Sequence, residues 1–231
     1  MTSPVGTELL DDPAADPATV RRSLANITRA NRWFGGTAAL GWALERVTSR
    51  VPRGTALKLL DLGTGAGDLP NAARRWGARR GLDIRPVGLE LSRVAAALAR
   101  DANVPTFVAS AVRPPVRTGS VDIVLASQLA HHLAPDAVVS LFAAADQASR
   151  GAVIVLDLRR ARLAGVAFRA GATLLGFDPV TRHDGLVSIR RGYTPAELGA
   201  LARRAGVEAT VVRRPGYRLV AVWGAVRPSD G

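Results

Sequence analysis

The sequence predicts an α/β protein: a doubly wound, mostly parallel sheet with helices on both faces, ending in a C-terminal antiparallel strand pair and preceded by a helical N-terminal extension. Three observations predict it. From residue 57 onward, short aliphatic or β-branched runs alternate with alanine-rich stretches of helical length. A glycine-rich turn follows the first of these runs directly. Near the end, two apolar runs are separated only by Arg214-Pro215-Gly216, the signature of a tight turn between antiparallel strands.

Taken in order, Asp16 caps a helix that Pro17 opens and that continues through Val20, Leu24 and Ile27 to Phe34, where Gly35-Gly36 ends it. Residues 1–17 ahead of it, with three prolines and an acidic cluster, are expected to be a mobile lead-in. Leu40, Ala43, Leu44 and Val47 mark a second helix that stops before Pro52. Residues 1–50 thus form a helical lid or extension and residues 51–231 the core domain. Strands are expected at residues 57–61, 86–90, 106–109, 121–126 and 152–157, with helices near 69–79, 92–100 and 135–149 between them. Residues 158–193 exceed what a minimal doubly wound sheet requires and read as a substrate-specificity insertion, with one apolar-faced helix within 161–177. Thr194-Pro195-Ala196-Glu197 is a capping box that opens a further helix to about residue 205. The closing strands are expected at 207–213 and 217–226.

Composition sets the outer bounds. The 231 residues are 48% hydrophobic and 22% charged, enough for one well-packed domain and unlike a disordered chain. No cysteine is present, which excludes disulfides, thiolate metal sites and cysteine nucleophiles and fits a cytoplasmic setting. The net charge is +12, and because Lys58 is the only lysine, 31 − 1 = 30 of the basic residues are arginine. They fall as scattered pairs with no long basic run, so a small-molecule partner is expected and no nucleic acid. The first residues lack the basic and apolar regions of a secretory signal. The apolar stretch 161–177 contains two arginines and is shorter than the roughly 20 residues that span a bilayer.

The chemistry begins at Leu59-Leu60-Asp61-Leu62-Gly63-Thr64-Gly65-Ala66-Gly67-Asp68, where glycines let a ligand approach the backbone at the carboxyl end of the first strand. Glu90 ends the second strand, 29 positions after Asp61, where a carboxylate can accept hydrogen bonds from both hydroxyls of a ribose. The position five after Gly63 is Asp68, an anion where a pyrophosphate would need to sit, so a dinucleotide is disfavoured.

These residues resemble the class I S-adenosylmethionine-dependent methyltransferases, over about residues 56–226, and in particular the small-molecule enzymes of the ubiquinone and menaquinone biosynthesis type. The resemblance implies a Rossmann-like seven-stranded sheet, S-adenosylmethionine as cofactor and S-adenosylhomocysteine as product. It implies that Asp61 serves the methionine amino group, that Gly63, Thr64, Gly65, Gly67 and Asp68 form the cofactor loop, and that Glu90, with Leu91, holds the ribose. The family's acidic residue for the adenine aligns with Ser110 here, leaving Ser110 and the Ala111 amide for that contact. Ser127 closes the cofactor set.

The run Ser127-Gln128-Leu129-Ala130-His131-His132-Leu133 leaves the fourth strand above this loop and resembles the family's His-Leu segment. Either His131 or His132 can take a proton from a hydroxyl near neutrality. His183 beside Asp184 is a further acid–base candidate, although adjacent side chains generally point apart. Trp33 and Phe34 are expected to act as a lid and, with Arg182, to touch the acceptor. No metal site is expected. The leading reading is methyl transfer to an oxygen or carbon of a small lipophilic or aromatic metabolite. The rivals are an RNA methyltransferase, suggested by the charge, and a non-catalytic cofactor-binding scaffold, suggested by Ser110.

Overall fold

A computed structural model describes Gly6, Glu8 and residues 15–227. The expected lead-in therefore lies largely outside the described residues. The chain runs α1 (Pro17–Trp33), α2 (Gly36–Val47), β1 (Ala56–Leu62), α3 (Asp68–Arg80), β2 (Asp83–Glu90), α4 (Arg93–Asp101), β3 (Thr106–Val108), β4 (Val121–Ser127), α5 (Pro135–Ala148), β5 (Ser149–Leu158), α6 (Ala164–Leu174), α7 (Pro179–Arg191), α8 (Pro195–Arg204), β6 (Thr210–Arg214) and β7 (Arg218–Gly224). A short 3-10 turn at Ala130–His132 follows β4.

Seven strands form one sheet in the order β3-β2-β1-β4-β5-β7-β6. The first five are parallel, and β7 runs antiparallel to both β5 and β6. The interior strands are buried on both faces, which explains their unbroken apolar runs. Leu57 and Leu59 of β1, Ile123 and Leu125 of β4 and Ile154 of β5 face one core with Leu40 and Leu44 of α2. Leu60 and Leu62, Val124 and Val153 face the other, against Leu141 and Phe142 of α5 and Leu198 of α8. Helix α2 is thus a wall of the core as well as part of the N-terminal extension.

Four elements differ from expectation: β5 begins at Ser149 and not at residue 152, β6 begins at Thr210 and not at residue 207, and β2 and the insertion differ as follows. β2 begins at Asp83, three residues before Pro86, because its first half pairs with β1 alone while β3 joins only from Gly88. Pro86 faces that unpaired edge, where a missing N–H is tolerated. Helix α7 was not expected within the insertion, since Gly185 and its mixed polarity hide the helical period. The signal was present in Asp178-Pro179, which repeats the cap of α1: Asp178 accepts from Thr181 N at 3.1 Å as Asp16 accepts from Thr19 N at 2.9 Å. The base of the insertion is tied shut by a parallel bridge between Arg159 and Tyr193. No helix among the described residues is long and apolar enough to cross a membrane.

Candidate active site

The turn after β1 is held by the neighbouring strand. Gly63 and Thr64 donate backbone N–H groups to the Leu89 carbonyl (2.8 and 3.0 Å), and Gly65 donates to Glu90 Oε2 at 2.9 Å. Glu90 Oε1 accepts from Ser92 N at 2.9 Å, so the carboxylate links the loop to the start of α4. Gly63 has φ +75°, and a Cβ there would meet the Leu129 side chain at 3.3 Å. Gly67 caps α3 with its face against Val104, which a Cβ would approach to 3.0 Å. Gly67 serves helix packing and does not line the cavity.

Beside the loop lies a group of acids. Asp61 is buried; Thr64 Oγ1 donates to its Oδ2 at 2.8 Å, while Oδ1 has no hydrogen-bond partner among the described residues. Burial pushes its pKa up to about 7, against the Thr64 hydrogen bond and helped by the charges of Asp68 and Glu90. Burial likewise raises Asp68, against the hydrogen bond that Asn31 Nδ2 donates at 2.9 Å. A desolvated carboxylate with an open oxygen suits a cationic ligand group. The glycine cradle, the orphaned Asp61 oxygen and Glu90 at the end of β2 therefore fit the amino-acid end and ribose of S-adenosylmethionine. Ser110, Ala111, Leu91 and Ser127 line the same cavity of about 890 Å³.

Helix α1 roofs that cavity. Val20, Leu24 and Ile27 are spaced on one apolar face and line the cavity, as do the buried Ser23 and Asn31, while Asn26 is buried outside it. Leu24 sits 3.7 Å from the Cβ position of Gly65. Asn26 Nδ2 donates to Asp178 Oδ2 at 2.7 Å, joining α1 to the cap of α7. Asn31 Oδ1 accepts from Gln128 Nε2 at 2.8 Å, and Gln128 holds φ +51° at the exit of β4. Phe34 enters the cavity and meets the Phe168 and Phe177 rings edge-on at 5.9 and 6.4 Å.

At the other end, His131 Nδ1 lies 2.6 Å from Asp157 Oδ1, and its backbone N–H donates to Asp157 Oδ2 at 3.1 Å. Burial alone would raise the Asp157 carboxyl, but the charge and hydrogen bond of His131, the Leu158 N–H and the charge of His132 hold it below the ordinary range. An ionised carboxylate only accepts, so Nδ1 carries the proton and Nε2 is left as the basic nitrogen. Among the described residues Nε2 is buried without a hydrogen-bond partner, with Glu8 Oε1 3.9 Å away. His132 Nε2 lies 3.8 Å from Glu8 Oε2. The ligand atoms of Glu8, His131 and His132 fall within 4.8 Å of one another, a spacing a metal ion can bridge. Here Ser188 Oγ donates to Glu8 at 2.8 Å and the Arg191 guanidinium supplies positive charge at 3.4 Å.

Besides Gly67, three expected residues lie elsewhere. Trp33 is 63% exposed and outside the cavity, because one step along α1 turns it away as Phe34 turns in. Arg182 also lies outside the lining; its Nε donates to the Phe177 carbonyl at 2.6 Å and so ties α7 to the turn after α6. His183 is half exposed and off the cavity, yet it does pair with Asp184 at 2.9 Å, contrary to the expectation that adjacent side chains diverge. Sequence reasoning missed Asn31, Gln128 and Arg218 as cavity groups and Asp157 as the partner of His131. Asp157 was legible: like Asp61 and Glu90 it is an acid at the carboxyl end of a parallel strand.

Residues 59–152 match the family described as a methyltransferase domain. The fold matches a SAM dependent methyltransferase from Aquifex aeolicus at 14% identity, over 90% of this chain and 97% of that one, with TM-score 0.60. It matches an O-methyltransferase from neocarzinostatin biosynthesis, solved with S-adenosylmethionine and 2-hydroxy-5-methyl naphthoic acid, at 20% identity and TM-score 0.63, over 96% of this chain and 63% of that one. Human N-acetylserotonin methyltransferase gives 11% identity and TM-score 0.63, over 95% and 59%. This chain therefore spans about three fifths of the length of the latter two. No curated protein matches it in sequence. The strand order and the antiparallel closing pair are those of the α/β methyltransferase fold. Residues 59–152 thus carry a match to a methyltransferase domain, on a fold like that of the S-adenosylmethionine-dependent methyltransferases named above.

Proposed function

We propose that the protein transfers the methyl group of S-adenosylmethionine to a hydroxyl oxygen of a small aromatic or lipophilic acceptor held beneath Phe34. The carrying observation is the His131–Asp157 pair, which puts the proton on Nδ1 and leaves Nε2 as the basic nitrogen of a residue that lines the roofed cavity. When bound, S-adenosylmethionine supplies an already activated methyl group on a sulfonium. The protein has to align the acceptor, exclude water and remove one proton. Phe34, Phe168 and Phe177 supply an apolar roof that suits a flat ring. His131 Nε2 takes the hydroxyl proton as the oxygen attacks, and Asp157 orients the ring and stabilises the imidazolium that results. The naphthoic acid bound by the neocarzinostatin relative is an aromatic molecule of the size such a cavity admits beside a cofactor.

The test is a panel of phenols and hydroxynaphthoates assayed for S-adenosylhomocysteine release. With an active acceptor in hand, His131→Gln is expected to lower kcat by about 10²–10⁴-fold, the scale of general-base catalysis, and to leave S-adenosylhomocysteine affinity within about twofold. Asp157→Asn, which unsettles the tautomer, is expected to lower kcat more than it raises KM. Full turnover in His131→Gln would remove the base assignment.

A further inference from the structure

Arg218 opens β7 with its side chain buried, 4% exposed, in the wall of the cavity. Its Nε donates to the Phe34 carbonyl at 2.9 Å. Among the described residues its Nη atoms make no hydrogen bond and its guanidinium no ion pair, although Asp157 and Asp68 both act on it electrostatically. Burial lowers its pKa to about 10, against those two carboxylates, so at neutral pH it stays a cation. A desolvated cation without a paired anion is costly to keep. The other arginine lining the cavity, Arg93 at the start of α4, is exposed.

We propose that Arg218 binds a carboxylate in this cavity through the free end of its guanidinium. The planar fork matches a carboxylate in two parallel hydrogen bonds. Two ligands can bring that group: the methionine end of the cofactor, or an acid substituent on the acceptor. For the first there is a specific need. Asp61, Asp68 and Glu90 crowd the loop with negative charge, which suits the ammonium of a bound amino acid and repels its carboxylate. Arg218 lies within reach of the field of Asp68 and offers the compensating charge. The second source places the acid near Asp157 and His131, beside the acceptor hydroxyl. The bond to Phe34 adds a consequence, because a carboxylate that orders Arg218 also orders the turn that roofs the cavity.

The cofactor arm rests on the methyltransferase reading, so two arms are measured. The first titrates S-adenosylhomocysteine against its decarboxylated analogue, S-adenosyl-3-thiopropylamine. The second titrates 1-hydroxy-2-naphthoate against its carboxamide with no cofactor present. The wild-type protein is expected to prefer the carboxylate form in at least one arm by roughly ten- to a hundredfold, the scale of a hydrogen bond to a charged group. Arg218→Gln is expected to abolish that preference, and Arg218→Lys, which keeps the cation and loses the fork, to retain part of it. Thermal unfolding of each variant checks that it is folded. A wild-type protein with no preference in either arm, or a folded Arg218→Gln with its preference intact, overturns the proposal. Failure of the wild type to bind S-adenosylhomocysteine at all overturns the cofactor reading instead, and the naphthoate arm then decides the role of Arg218.

Discussion

Gly216 packs against the backbone of Phe34 so closely that a Cβ on Gly216 would stand 2.2 Å from the Phe34 carbonyl oxygen. The same carbonyl accepts from Arg218 Nε, so the turn between α1 and α2 is seated on the β6–β7 hairpin. The Phe34 side of the cavity is in this way positioned by the last strand pair of the sheet.

Gly216→Ala is therefore expected to displace that turn. Gly216 also has φ +75°, where a side chain is strained. Thermal unfolding should report a loss of about 1–3 kcal/mol, and the acceptor KM should rise by a larger factor than the S-adenosylhomocysteine Kd.

Phe168→Ala opens the roof from the other side. Its ring meets both Phe34 and Phe177, and it fills the space over Gly185, where a Cβ would come within 2.2 Å of it. Truncation should weaken acceptor binding by roughly 1–3 kcal/mol for a half-buried ring, with cofactor affinity unchanged. Equal losses for both ligands would place Phe168 in general packing.

Asp61 makes stability depend on pH. Its pKa is raised from 3.8 to about 7, chiefly by burial, so between those values the native state keeps a proton that the unfolded chain has released. Stability of the ligand-free protein should then fall as pH rises from 4 to 7, by roughly 2–4 kcal/mol from this group, and level off above. Asp61→Asn should remove that slope and weaken cofactor binding. Denaturant melts at pH 5 and pH 8 separate the two proteins. If a cationic ligand group meets Asp61, calorimetry in buffers of different ionisation enthalpy should register proton release on binding near pH 7, absent in the variant.

Glu90→Gln tests the link between loop and ribose. Its carboxylate accepts from Gly65 N and Ser92 N, so the charge orders the loop as well as facing the cavity. Cofactor affinity should drop by about 1.5–3 kcal/mol, the worth of hydrogen bonds to a charged acceptor, measurable by titration with S-adenosylhomocysteine.

The sequence by itself determined the sheet and the cofactor end of the site. Strand, glycine turn, helix and acid follow one another within 34 residues from Ala56 to Leu89, and Glu90 closes the pattern, so local chemistry places them with little help from distant contacts. The capping residues at Asp16, Ser92 and Thr194 work for the same reason, since each acts on a backbone three residues away. The end of the cavity that holds His131 and Phe34 was decided by tertiary structure. His131 acquires its partner from β5, 26 residues on, and Phe34 is held by Arg218, 184 residues on. One residue's step at the end of α1 decides that Phe34 enters the cavity and Trp33 meets solvent, a choice of face that hydrophobicity alone leaves open because both side chains are apolar. A buried cation such as Arg218 is likewise invisible among 30 arginines until the packing around it removes its water.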